Sequence, residues 1–174
     1  PIYIKRKQII GDKNIYNIYL LNELAYLSCG FGIVVLDLNN REVRETYFIG
    51  EGGGQLKVND ISSFQSNIYA ATDEGLFRAD LSNPNLIDFN NWNLVSDPRI
   101  LGEKVNTITS TSTHLIINVD DTDDKLYRFD GSIWEPYPFH DPFITRCLNT
   151  DGDNLIICSQ FNLNIYSQIG RASC

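Results

Sequence analysis

The stretch LAYLSCGFGIVVLDL, Leu24 to Leu38, decides the fold, because its outline returns as NIYAATDEGLFRADL from Asn67 to Leu81. Each copy reads as a hairpin: a hydrophobic strand ends in small or polar residues, a glycine sits in the turn, and a second strand closes on Asp-Leu. Gly32 and Gly75, Asp37 and Asp80, and Leu38 and Leu81 are each 43 residues apart, so one register covers the whole segment. An offset of that size is the period of a four-stranded propeller blade, one sheet in a radial array.

Outward from this hairpin the blade completes itself. Ile15 to Leu21 (IYNIYLL) is a strand rich in Ile and Tyr, Asn22-Glu23 and Asn39-Asn40 make turns, and Val43 to Ile49 (VRETYFI) alternates as a half-buried outer strand does. VNDI at Val58 follows the strand start at Ile15 by 43 residues, and VNTI at Val105 follows VNDI by 47. Tyr47, Trp92 and Trp134 fall at the matching place near the end of successive units, where an aromatic packs as a wedge between neighbouring sheets. A fourth unit contains ITRCLNT, NLIICSQ and NLNIYS without a fourth strand. Apolar residues at helical spacing never persist over a dozen positions.

The expectation is therefore an all-β chain. About four four-stranded antiparallel blades occupy residues 14–50, 56–97, 104–138 and 143–167, with 1–10 ending a preceding blade. Residues 1–174 then form part of a larger, seven-bladed β-propeller. Four blades alone leave apolar blade faces open, which predicts self-association or a longer parent protein. The start at Pro1 and the lack of any Met or signal-peptide pattern suit an interior piece of a longer chain.

Composition excludes several functions. With 14 Lys and Arg against 22 Asp and Glu, the net charge of −8 disfavours a phosphate-binding surface for nucleic acid. Lys5 to Lys7 (KRK) is a short basic cluster expected at a solvated strand edge. No apolar run reaches bilayer-spanning length. Gly50 to Gly54 (GEGGG) lacks the Gly-Lys-Ser/Thr ending and the helix of a phosphate loop and reads as an inter-blade linker.

Candidate chemical groups are few. His114 lies in a Ser/Thr-rich turn and His140 in a linker, neither with an obvious partner, and no G-x-S-x-G elbow is present. Asp120, Asp121, Asp123 and Asp124 (DDTDD) lack the Gly and Glu spacing of an EF-hand and read as a polar hairpin tip. Cys29, Cys147, Cys158 and Cys174 show no metal-ligand spacing. If Asp151-Gly152 forms the turn, Cys147 faces Ile156 and stands diagonal to Cys158, which predicts free thiols. No catalytic, cofactor-binding or metal residue is assigned, and ligand-binding residues are left open.

The runs AYLSCGFGIVVLDL (Ala25 to Leu38), TYFIG (Thr46 to Gly50), IYAATDEGLFRADL (Ile68 to Leu81) and NPNL…NNW (Asn83 to Trp92) resemble the N-terminal propeller of the PorZ family of the Bacteroidetes type IX secretion machinery. The likeness is strongest over Asn14 to Trp92 and looser to Ser167. Such proteins carry two propellers and a small C-terminal β domain and reside at the cell surface. The resemblance implies a non-enzymatic accessory, without cofactor, that binds anionic lipopolysaccharide and presents it to a sortase partner. The alternative is the extracytoplasmic sensory propeller of a two-component regulator, and a propeller enzyme ranks third.

Overall fold

The computed structural model describes residues 8–119, 125–138 and 144–166. Lys5 to Lys7, the Asp120 to Asp124 run, His140 and Cys174 lie outside the described residues. Of the preceding-blade segment, residues 8–10 are irregular and the rest also falls outside.

Among the described residues, every regular element longer than one turn is a β-strand. The first sheet is β1 (Ile15–Leu21), β2 (Leu24–Cys29), β3 (Gly32–Asp37) and β4 (Glu42–Tyr47). The second is β5 (Val58–Phe64), β6 (Asn67–Thr72), β7 (Gly75–Asp80) and β8 (Asn93–Leu94). The third is β9 (Val105–Ser110), β10 (Leu115–Val119), β11 (Lys125–Phe129) and β12 (Trp134–Pro136). The fourth has three strands among the described residues, β13 (Thr145–Asp151), β14 (Asn154–Ser159) and β15 (Leu163–Tyr166). All four sheets are antiparallel meanders with strands in chain order.

The sheets are fanned about an axis with β1, β5, β9 and β13 innermost, each touching the next along that series. Between the first and second sheets, Tyr26, Ile33, Val35, Tyr47 and Ile49 meet Ile61, Ala70 and Trp92. Between the second and third, Tyr69, Ala71 and Leu76 meet Ile108, Leu115 and Ile117. Between the third and fourth, Ile116 and Leu126 meet Leu148, Leu155 and Ile157. Flat apolar faces burying one another replace a single central core, as in other repeat architectures.

The repeated aromatics are such wedges. Tyr47, Trp92 and Trp134 are all buried; the Tyr47 and Trp92 rings are 6.0 Å apart across one junction, and Trp134 stacks on Phe129 at 4.9 Å. The Trp92 indole N–H donates to the Leu86 carbonyl at 2.9 Å, so its polar edge is satisfied.

The repeated Asp-Leu pair closes each hairpin. Leu38 N–H donates to Glu23 O at 3.0 Å and Leu81 N–H to Ser66 O at 2.9 Å. The preceding carboxylates accept from the turn backbone: Asp37 from Asn39 and Asn40, Asp80 from Ser82, and, in the third sheet, Asp130 from Ser132 and Ile133.

One detail of the hairpin reading changes. The repeated glycine opens the third strand instead of sitting in the turn, since Gly32 pairs with Cys29 and Gly75 with Thr72. Glycine is required there because φ is +143° and +131°, and a Cβ on Gly32 would come within 2.2 Å of the Tyr47 carbonyl oxygen.

The cysteine expectation is overturned. The turn is centred on Gly152-Asp153, with Gly152 at φ +59°, one residue later than Asp151-Gly152. Cys147 therefore stands directly opposite Cys158, with Cα atoms 5.0 Å apart, and the two form a disulfide. Cys29 is a buried free thiol whose pKa burial pushes up.

Two predictions follow from these turns and thiols. Alkylation of the denatured, unreduced chain is expected to modify Cys29 and to spare Cys147 and Cys158, which mass spectrometry should find modified only after reduction. Backbone donors hold Asp37, Asp80 and Asp130 below the ordinary carboxylate value. Their stabilisation is present above that value and lost as pH falls through the depressed one. Urea titrations between about pH 2 and pH 6 are expected to show this loss, with a shallower slope in Asp80→Ala.

Candidate axial binding groove

Each inner strand begins with the same irregularity. One extra residue is bulged out against the neighbouring strand: Tyr16 in β1, Asn59 in β5, Asn106 in β9 and Arg146 in β13. The bulge re-aims the residue that follows it. Those following residues are Asn17, Asp60, Thr107 and Cys147, and the first three hand hydrogen bonds from sheet to sheet.

Asp60 is the centre of this relay. One carboxylate oxygen accepts from the Asn17 side-chain amide of the first sheet and from its own Ile61 N–H at 2.7 Å. The other accepts from the Thr107 hydroxyl at 2.7 Å and the Ile108 N–H at 2.9 Å, both in the third sheet. The Thr107 oxygen in turn accepts from Leu148 N–H of the fourth sheet at 3.3 Å. Desolvation dominates at Asp60 and raises its pKa, and the four donors oppose that shift.

Further polar links line the same axis. Tyr19 and Ser63 hydroxyls lie 2.7 Å apart, Ser62 donates to Ser110 at 3.1 Å, and Thr150 donates to the Ser110 carbonyl at 3.1 Å. The space they border is a groove of about 550 Å³ reached by inner-strand residues of all four sheets. Its walls are chiefly amides and hydroxyls, including Asn17, Tyr19, Asn106, Ser110, Asn149 and Thr150, with Arg146 as the cation in the lining. A second cavity of about 400 Å³ lies at the rim between the second and third sheets, against Arg78, Asp97, Phe129 and Trp134.

This arrangement can orient a hydrogen-bonding ligand, the ordinary use of a concave polar surface on a rigid scaffold. The groove lining contains no histidine, and its carboxylate, Asp60, is occupied by four donors. His114 belongs to a separate structural turn, where its ring Nδ1 is 2.9 Å from the Thr113 hydroxyl and burial, then Arg128, push its pKa down. Among the described residues, no three His, Cys, Asp or Glu side chains converge as a metal site. The sequence alone pointed to none of the groove residues; the aligned Val58-Asn59-Asp60-Ile61 and Val105-Asn106-Thr107-Ile108 runs were the available signal.

Fanned meander sheets around a polar axis define a β-propeller. Residues 2–93 match the family described as TSS9, PorZ, N-terminal beta-propeller domain, and the chain belongs to that family, a propeller of type IX secretion. It is similar to PorZ of Porphyromonas gingivalis, described as an essential bacterial surface component of the type IX secretion system, at 21% identity and TM-score 0.69. That likeness covers 91% of this chain and 20% of PorZ, so the chain spans about a fifth of that protein's length. It is also similar to the extracellular domain of a hybrid two-component system protein of B. thetaiotaomicron, at 16% identity and TM-score 0.64, over 91% of this chain and 21% of the other. The computationally designed Ika8 protein shares the fold at 11% identity and TM-score 0.60, over 92% of this chain and 48% of Ika8. No curated protein sequence matches the chain.

Replacing Asp60 tests the relay. Asp60→Asn puts an amide against two donors and is expected to cost about 3 kcal/mol in urea denaturation, because buried donors lose their acceptor. A raised native pKa means that Asp60 contributes most below the ordinary carboxylate value and less as pH rises through the raised one. That component of the pH dependence is expected to vanish in the variant.

Proposed function

We propose that this chain is a non-enzymatic, extracytoplasmic accessory module of type IX secretion that binds anionic lipopolysaccharide, a sortase partner, or both. The observation that carries this reading is the family match, joined to an axial groove of amides and hydroxyls whose carboxylate is fully engaged. Amides and hydroxyls suit the many hydroxyl groups of a glycan, and Arg146 supplies a charge for an acidic substituent. With a net charge of −8, long-range attraction opposes an anionic ligand, so recognition must rest on such local contacts.

A second reading, a sensory propeller of a two-component regulator, draws support from the similar extracellular domain of the B. thetaiotaomicron protein. A transmembrane helix and a kinase encoded in the same polypeptide would favour it. A second propeller and a C-terminal β domain would favour the secretion reading.

Titration calorimetry with anionic lipopolysaccharide, and separately with neutral lipopolysaccharide of the same lipid anchor, tests the lead reading. Saturable binding of the anionic form is expected, weakened about tenfold in Arg146→Ala, the size of one charge-assisted hydrogen bond. Equal or absent binding of both forms, together with no capture of the sortase, contradicts the reading.

A further inference from the structure

One arginine recurs in the second and third sheets with different partners. Arg128 on β11 stands opposite Glu135 on β12, and its Nη2 donates to that carboxylate at 2.8 Å. Arg78 is the equivalent residue on β7, but the position opposite it on β8 is Asn93. An amide thus occupies the place where the next sheet has a carboxylate, and among the described residues Arg78 has no acidic partner. On its other side Arg78 pairs with Tyr69, whose hydroxyl it meets, partly offsetting the upward push of burial on the Tyr69 pKa.

Arg78 is exposed and borders the rim cavity of about 400 Å³ between the second and third sheets. Side chains alternate along β7, so Arg78 shares a face with the buried Leu76, which packs on the third sheet. Leu94, Val95 and Pro98 supply hydrocarbon on one side of the cavity. Phe129 and Trp134, stacked at 4.9 Å, supply it on the other, and Phe129 is only partly buried. Asn93, Ser96 and Ser132 add hydrogen-bonding groups. The acid in the lining, Asp97, is already neutralised: Arg99 Nε and Nη2 each donate to it at 2.8 Å and hold its pKa down. A concave site of this size, with hydrocarbon walls and a few orienting polar groups, suits a small molecule. The planar fork of a guanidinium matches a carboxylate, and a net charge of −8 disfavours anions of higher charge.

We propose that the rim cavity binds a small organic monocarboxylate with a flat, apolar body. The carboxylate takes the place of the glutamate missing opposite Arg78, accepting from the guanidinium and from the Asn93 amide, and the body lies against Phe129. No residue that lines this cavity also lines the axial groove, so the site is independent of the one proposed above.

Heteronuclear NMR titration of the 174-residue chain with benzoate, benzamide and acetate tests this directly. Benzoate is expected to saturate with a Kd in about the millimolar range and to shift the Asn93 side-chain amide and the Ser96 and Ser132 backbone amides. Benzamide, which keeps the ring without the charge, and acetate, which keeps the charge without the ring, are each expected to bind about tenfold more weakly. Arg78→Ala is expected to weaken benzoate about tenfold or more. Asn93→Glu rebuilds the cross-strand pair of the third sheet, and is expected to weaken benzoate by a similar factor with the urea midpoint unchanged or raised. That midpoint separates closing the site from losing the fold. Benzamide or acetate binding as tightly as benzoate overturns the proposal. So do shifts that bypass the rim residues, benzoate affinity that survives either substitution, or no saturable binding at all.

Discussion

The structure depends on one buried carboxylate. Asp60 sits where three sheets converge and gathers four donors from them, so the angle at which the second sheet meets its neighbours is fixed by hydrogen-bond direction as well as by apolar contact. Apolar faces can slide on one another at little cost, because burial is not directional. A carboxylate that would be left with unmatched donors cannot follow such sliding. The bulge at Asn59 makes this possible by turning Asp60 toward the next sheet, and the same device recurs at Tyr16, Asn106 and Arg146.

Much of this architecture is legible in the residues. The 43-residue offset that aligns Gly32 with Gly75 and Asp37 with Asp80 specifies four-stranded sheets, because the same turn and the same close approach recur in each. Trp92 and Trp134 are both buried at sheet junctions as their place in the repeat suggests, though their ring partners differ: Tyr47 across the junction for Trp92, and Phe129 of the same sheet for Trp134. The Cys147–Cys158 pairing escapes the sequence because a two-residue turn can be centred on either side of Gly152, and a shift of one residue there moves Cys147 from opposite Ile156 to opposite Cys158. The groove was not visible at all. Its residues are ordinary amides and hydroxyls along the inner strands, and the bulges that re-aim Asn17, Asp60 and Thr107 leave no reliable mark in a single sequence.

A site of this kind bears on function through what it holds in place. The groove is lined by side chains from the inner strands of four separate sheets. Binding energy on such a surface comes from many modest contacts, and net charge matters less than where single charges stand. Arg146 is notable on that count, being the bulged residue of the last inner strand and so thrust toward the axis of an otherwise acidic chain.

The relay position also bears on the order of the sheets. Asn17, Asp60, Thr107 and Cys147 are equivalent by fold and different in chemistry: the Asp60 carboxylate accepts from the Asn17 amide on one side and from the Thr107 hydroxyl on the other, and the Thr107 oxygen accepts from Leu148 N–H. Each sheet thereby carries an address legible to its neighbours. The sheets are therefore not interchangeable: an order that set Cys147 instead of Thr107 beside Asp60 would take a hydroxyl donor from the carboxylate even with every apolar face still matched.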